Sequence, residues 1–135
     1  MPPGLDVSGT SMRAIRLFLL IESAAFLAAA LTHFGVLVAG YEHFKAGVAE
    51  TVIGAVLAGG LLLSSIRPEW RRAIGLTAQG FALLGTAVGI FTIAIGVGPR
   101  TAPDIAYHVV IVAVLVSGLF AAARLPRIAS PVRSN

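Results

Sequence analysis

The chain contains no cysteine. That absence excludes disulfide bonds, thiolate metal centres and covalent attachment of a c-type haem, and it leaves the redox compartment open. Charge is scarce too. Asp, Glu, Lys and Arg make up 12% of the 135 residues, against roughly 25% in a soluble domain. Aromatics are few, with one Trp and two Tyr beside seven Phe. No GxGxxG or Walker-type loop occurs among the fifteen glycines, which removes the nucleotide-binding readings such loops carry. No nucleophile–base pair and no catalytic motif is present, so the expectation is a protein that is not an enzyme.

What is there is hydrophobic: 57% of the residues, with a mean hydropathy of +0.92. Four apolar runs, near 17–39, 46–66, 73–97 and 105–123, reach or approach the ~20 residues that cross a hydrocarbon core. The fold class that follows is all-α: a polytopic membrane protein built as a four-transmembrane-helix bundle. The first run reads as a retained helix. Glu22 interrupts it and it continues past Ala28–Ala30 toward Gly40, whereas a signal-peptide core is only about 7–15 residues long. Residues 1–11, rich in Pro, Gly and Ser, read as a flexible tail, 12–123 as the membrane domain and 124–135 as a basic tail. Pro68 closes the second run, and Trp70 reads as an interfacial anchor among arginines.

Of the ten basic residues, Arg13, Arg16, Arg67, Arg71, Arg72, Arg124, Arg127 and Arg133 fall on one side, and Lys45 and Arg100 on the other. The positive-inside rule then places both termini in the cytoplasm, with the 40–45 and 98–104 connections outside. A cell (plasma or inner) membrane is the expected location. Although the formal charge is +4 and the pI near 10.7, the basic residues flank the spans, so anionic lipid is expected as the partner rather than nucleic acid. Further partners would be other copies of the chain or other membrane subunits.

A repeat is visible. A shift of 58 residues aligns 48–62 with 106–120 at seven identities: Val52/Val110, Ile53/Ile111, Ala55/Ala113, Val56/Val114, Leu57/Leu115, Gly60/Gly118 and Leu61/Leu119. In this frame Glu50 matches His108, and a shift of 57 pairs Glu22 with Gln79. Such a pattern implies two parallel-repeat hairpins related by an axis along the membrane normal.

Polar residues inside the spans carry the functional signal, because they are costly in hydrocarbon and face the bundle interior. Glu22 and His33 return to nearly one face of the first helix, eleven residues apart. With the helix running to residue 39, His33 falls roughly 9 Å below its outer end, and Glu50 and His108 each roughly 6 Å below theirs. The candidate site is therefore His33, Glu50 and His108 at one outer level, with Asp104 just above. Two imidazoles and a carboxylate suit a divalent metal. His33 and His108 alone suit axial ligation of a b-type haem, and the group also suits a proton or cation relay. Plainer roles stand beside these: Asp104 as the N-cap of the fourth helix, Lys45 as a partner for Glu50, Tyr107 as an interfacial aromatic, and Glu42, His43 and Lys45 as a solvated loop. Nearer the inner side, Glu22 and Gln79 form a secondary polar cluster, with Ser64 and Ser65 nearby.

In size, helix number and Glu22 the chain resembles the small multidrug resistance transporters. It lacks the tryptophan and tyrosine that accompany that glutamate in the family, and the outer His/Glu level has no counterpart there. Two function classes follow: a small bundle that binds a metal or haem or passes protons at its outer level, and an accessory or scaffold subunit of a larger membrane complex. An oligomeric transporter ranks below both.

Overall fold

The computed structural model describes residues 7–126. Residues 1–6 and 127–135, which hold most of the two expected tails, lie outside the described residues. Four helices follow one another: α1 (Val7–His33), α2 (Phe44–Ile66), α3 (Arg71–Ala94) and α4 (Ala102–Ala123). A single 3-10 turn, Pro68–Trp70, joins α2 to α3, and there is no strand among the described residues. Each helix carries a stretch long and apolar enough to cross a membrane: Arg13–His33, Phe44–Ile66, Pro68–Ala94 and Ala102–Ala123. Every helix packs on its chain neighbours and α4 closes back on α1, so that α1 and α3 lie diagonally.

The helix limits follow local chemistry. Val7–Ser11, read from sequence as tail, already belongs to α1; no proline occurs between Val7 and Pro68 to stop it. α1 ends at His33, six residues short of the limit that hydropathy suggests. Gly35 takes a left-handed φ of 74°, a conformation that costs glycine little. It lets the N–H groups of Gly35 and Val36 turn back onto the carbonyls of Thr32 and Leu31, each at 2.9 Å. The apolar residues Val36, Leu37 and Val38 thus lie in a loop and are exposed. Gly96, at φ 83°, similarly stops α3 at Ala94. Arg100 then covers that helix end, its guanidinium donating to the carbonyls of Ile93 (2.7 Å) and Ala94. A cation on the last carbonyls also suits the helix dipole.

The interior is a stack of layers along the bundle axis. On α1, Ile15, Leu19, Glu22, Phe26, Ala30 and His33 are all buried, at the three-and-four spacing of one helix face. Near the end that carries the α2–α3 connection, Gly60 faces Ala78 and Gly75 faces Ala122 and Ile15. The next layer holds Glu22 and Gln79, both fully buried. The Gln79 amide nitrogen donates to the two Glu22 carboxylate oxygens at 3.3 and 3.2 Å. Gly118 of α4 lies against this pair so closely that a Cβ there would stand 2.1 Å from Gln79 Nε2 and 2.7 Å from Glu22 Oε1. Ser64 and Ser65, expected near the pair, instead bond the Leu61 carbonyl of their own helix. Above, the Phe26 ring meets Tyr107 edge-on at 6.1 Å.

Candidate functional site

The layer at the end of the bundle that carries the α1–α2 and α3–α4 connections is centred on His33, the last residue of α1. Its carbonyl accepts from the N–H of His43 at 2.8 Å, so the loop 34–43 folds back and sets α2 beside it. His43 in turn caps α2, its Nδ1 accepting from the Ala46 N–H at 3.3 Å. Two turns into α2, Glu50 is 6% exposed and its Oε2 lies 2.7 Å from His33 Nδ1. The other ring nitrogen, His33 Nε2, lies 3.3 Å from Asp104 Oδ1 on α4. His33 is thus held between two buried carboxylates drawn from two other helices.

Asp104 has two roles. Thr101, not Asp104, is the N-cap of α4; Asp104 sits at the third helical position of a capping box. Its Oδ2 accepts from the Thr101 backbone N–H at 3.2 Å and from the Thr101 hydroxyl, leaving Oδ1 for His33. Thr101 Oγ1 also accepts from the Tyr41 hydroxyl at 2.8 Å. A continuous hydrogen-bonded chain therefore runs Tyr41–Thr101–Asp104–His33–Glu50, from the fold-back loop into the interior. Sequence reading overlooked Tyr41 and Thr101, although Thr101-Ala-Pro-Asp104 carries the capping-box pattern.

The proton count follows from these contacts. With Asp104 taken as a carboxylate whose Oδ2 accepts two donors, Nε2 of His33 carries the hydrogen directed to Oδ1. One further proton lies between His33 Nδ1 and Glu50 Oε2. Wherever along that contact it sits, the trio of His33, Glu50 and Asp104 has one net negative charge. The second oxygen of Glu50 has no hydrogen-bond partner among the described residues, and one more proton on it makes the trio neutral.

His108 stands apart from the trio. Its Nδ1 bonds the Asp104 carbonyl one turn back at 2.7 Å. A carbonyl only accepts, so Nδ1 carries the hydrogen and Nε2 presents a lone pair. That Nε2 lies 3.2 Å from where a Cβ on Gly89 would be. Between α2 and α3, at the end of the bundle that holds His33, lies a cavity of about 190 Å³ onto which His33, Glu50, His108 and Thr86 open and which Lys45, His43 and Pro99 also line. The rest of its lining is mostly apolar, including Phe26, Ile53, Val88 and Ile93, with Thr92 among it.

Several expectations change here. Lys45 does not pair with Glu50; His33 does. Tyr107 is no interfacial aromatic. It packs against the core, edge-on to Phe26 and His108, and its hydroxyl is buried with no hydrogen-bond partner among the described residues. Glu42 is solvated, as a loop residue should be. It accepts from the Gly40 N–H at 3.1 Å, and this and its own backbone N–H hold its carboxyl below the usual carboxylate range. The metal and haem readings lose their footing. His33 has both ring nitrogens engaged, so it offers no free lone pair, and His108 offers only Nε2. Among the described residues no group of three or more His, Asp or Glu side chains is placed to hold a metal ion.

No family model matches the sequence, and comparison with curated proteins and with solved structures returns no match.

Proposed function

We propose that this small membrane protein carries an outward-facing proton site within its bundle, in which Glu50 takes up and releases a proton and the chain Tyr41–Thr101–Asp104–His33 connects it to the outer surface. One observation carries the reading: a buried imidazole bonded on both sides to carboxylates, 2.7 Å to Glu50 and 3.3 Å to Asp104, with a cavity open on one of them. A lone negative charge in hydrocarbon costs about 3 kcal/mol on insertion scales, so a group that alternates between one negative charge and none is suited to holding a proton there. Histidine is the side chain whose ordinary titration range serves such transfers.

The orientation belongs to the same proposal: termini in the cytoplasm, with the 34–43 loop and the Pro99–Pro103 connection outside, as the arginine distribution requires. The repeat supports a common origin for α2 and α4, the helices that bring Glu50 and His108 to the cavity. α2 starts at Phe44 and α4 at Ala102, the same 58-residue offset that aligns their sequences. Ile53 and Ile111, Leu57 and Leu115, and Gly60 and Gly118 are all buried, and Glu50 and His108 both open on the cavity.

Infrared difference spectroscopy of the protein in bilayers, between acid and alkaline pH, tests the proposal. A protonated-carboxyl band should appear on acidification and be missing in Glu50→Gln. If no such band exists, or if it survives Glu50→Gln unchanged, the proton site is not Glu50.

A second reading has its own observation. Thr51, Ala55 and Gly59 form an exposed small-residue row on α2, the kind of surface on which another transmembrane helix packs closely. An accessory role within a larger membrane complex would use that face.

A further inference from the structure

We infer that the cavity between α2 and α3 is a binding site for a neutral, lipid-soluble molecule of single-ring size that bears a hydroxyl donor, such as an alkylphenol. The inference rests on the proton-site reading, because its polar anchor is Glu50.

The volume sets the size. A cavity of about 150 Å³ lined by apolar side chains accommodates benzene, and this one measures about 190 Å³. The chemistry of the floor sets the polar group. Two acceptors stand there without protein partners: the second Glu50 oxygen and His108 Nε2, whose lone pair is fixed by the bond from Nδ1 to the Asp104 carbonyl. Glu50 is more than nine-tenths buried, and its second oxygen, reached from the cavity, has no donor from the described residues. A ligand hydroxyl supplies the missing donor, and a ring fills the alkyl-walled space above. Thr86 and Thr92, which also line the cavity, spend their hydroxyl hydrogens on the carbonyls of Ala82 and Gly89, at 2.8 and 2.7 Å. They too therefore present only acceptors.

Two features favour a neutral ligand over a cation. Lys45 lines the cavity, so a cation would meet a like charge there, and the apolar walls give a charged group no solvation. Access from the outer leaflet is available, because Ala49 and Val88, which line the cavity from opposite helices, are both exposed on the lipid-facing surface. Gly89 keeps the His108 end open, since any side chain there would press on Nε2.

Equilibrium binding to the protein in nanodiscs, corrected with empty nanodiscs, tests the inference with three probes: 4-propylphenol, propylbenzene and 4-propylbenzylammonium. The phenol should bind saturably at one equivalent. Propylbenzene should bind about tenfold more weakly, the weight of one hydrogen bond to a charged group. Gly89→Val and, independently, Ala49→Leu should remove the saturable component, whereas Gly80→Val should keep it, because nothing lies within 4 Å of a Cβ at Gly80. Equal binding of propylbenzene, tighter binding of the ammonium, or unchanged binding in both Gly89→Val and Ala49→Leu would overturn the inference. The Glu50 carboxyl band, recorded on the same samples, separates the two readings. Absent phenol binding with the band present sinks the ligand alone; absence of the band sinks the proton site as well.

Discussion

Replacing Gly118 by alanine puts one methyl group into the most crowded place in the bundle. Its Cβ would stand 2.1 Å from Gln79 Nε2, 3.0 Å from Gln79 Cδ and 2.7 Å from Glu22 Oε1. Neither side chain has solvent to retreat into, since Glu22 and Gln79 are both fully buried. Something must break, and the hydrogen bonds of 3.3 and 3.2 Å between them are the contacts in the way. Leaving a buried polar group without its partner costs about 1–3 kcal/mol, and forcing a methylene into a packed interior costs about 1–3 kcal/mol. Against this, exchanging glycine for alanine inside a helix gains up to about 1 kcal/mol. The net expectation is a loss of about 2 kcal/mol. Gly80→Ala is the matched control, being mid-helix on α3 with open space around its Cβ; there only the helix gain operates, and stability should hold or rise slightly. Titration with SDS, followed by circular dichroism, reads both. If Gly118→Ala unfolds at the same SDS fraction as the unaltered protein, or if Gly80→Ala falls as far, the layer packing described for Glu22 and Gln79 is wrong.

Other outcomes follow from the outer layer and the loops. Cysteines introduced at Arg72 and at Thr101 should react with a membrane-impermeant reagent from opposite sides, Thr101 from outside, and labelling of both from one side would mean that α3 does not cross the membrane. Thr101→Val removes the hydroxyl that links Tyr41 to Asp104 and should slow proton exchange at Glu50 in time-resolved infrared measurements while the equilibrium band stays; an unchanged rate takes Tyr41 and Thr101 out of the path. Glu42 supports its loop through Gly40, and because its carboxyl is held below the ordinary range when folded, that support is complete above the unfolded value of about 4.3. It fades as pH falls through the lower, folded value, so amide exchange at Gly40 should accelerate only in the acid range and should be fast at neutral pH in Glu42→Gln.

The four spans were plain in the sequence because hydropathy depends on composition over many residues and tolerates errors at the ends. The ends themselves were less legible. Gly35 lies within an apolar run, and nothing in hydropathy distinguishes Val36–Val38 in a helix from the same residues in a loop; the backbone turn at one glycine decides it. His33 ends α1 instead of lying six residues inside it. The meeting of His33 and Glu50 comes from the fold-back of 34–43 and not from matched depths. Asp104 was read as a cap or as a site residue, while its two oxygens allow it to be both. His108 was grouped with His33 because imidazoles at one level invite a shared ligand. A bond to its own helix, invisible in the sequence, turns it toward α3 instead. The Glu22 and Gln79 pair was legible in the sequence, because two polar side chains within apolar spans need each other as partners, and the two are bonded.

The two bonds of His33 differ greatly in sequence span, 17 residues to Glu50 and 71 to Asp104, and this has a consequence for biogenesis. A chain emerging from the ribosome delivers α1 and α2 first, as a hairpin whose tip already contains both members of the shorter pair. The carboxylate of Glu50 therefore enters the membrane with its imidazole beside it, rather than alone at a cost of some 3 kcal/mol. Asp104 arrives last, in the first turn of the final helix and close to the surface, where a charge is far less costly to insert. For the two carboxylates bonded to His33, the order of synthesis thus matches the order in which each needs its partner, Glu50 being matched before the second hairpin exists.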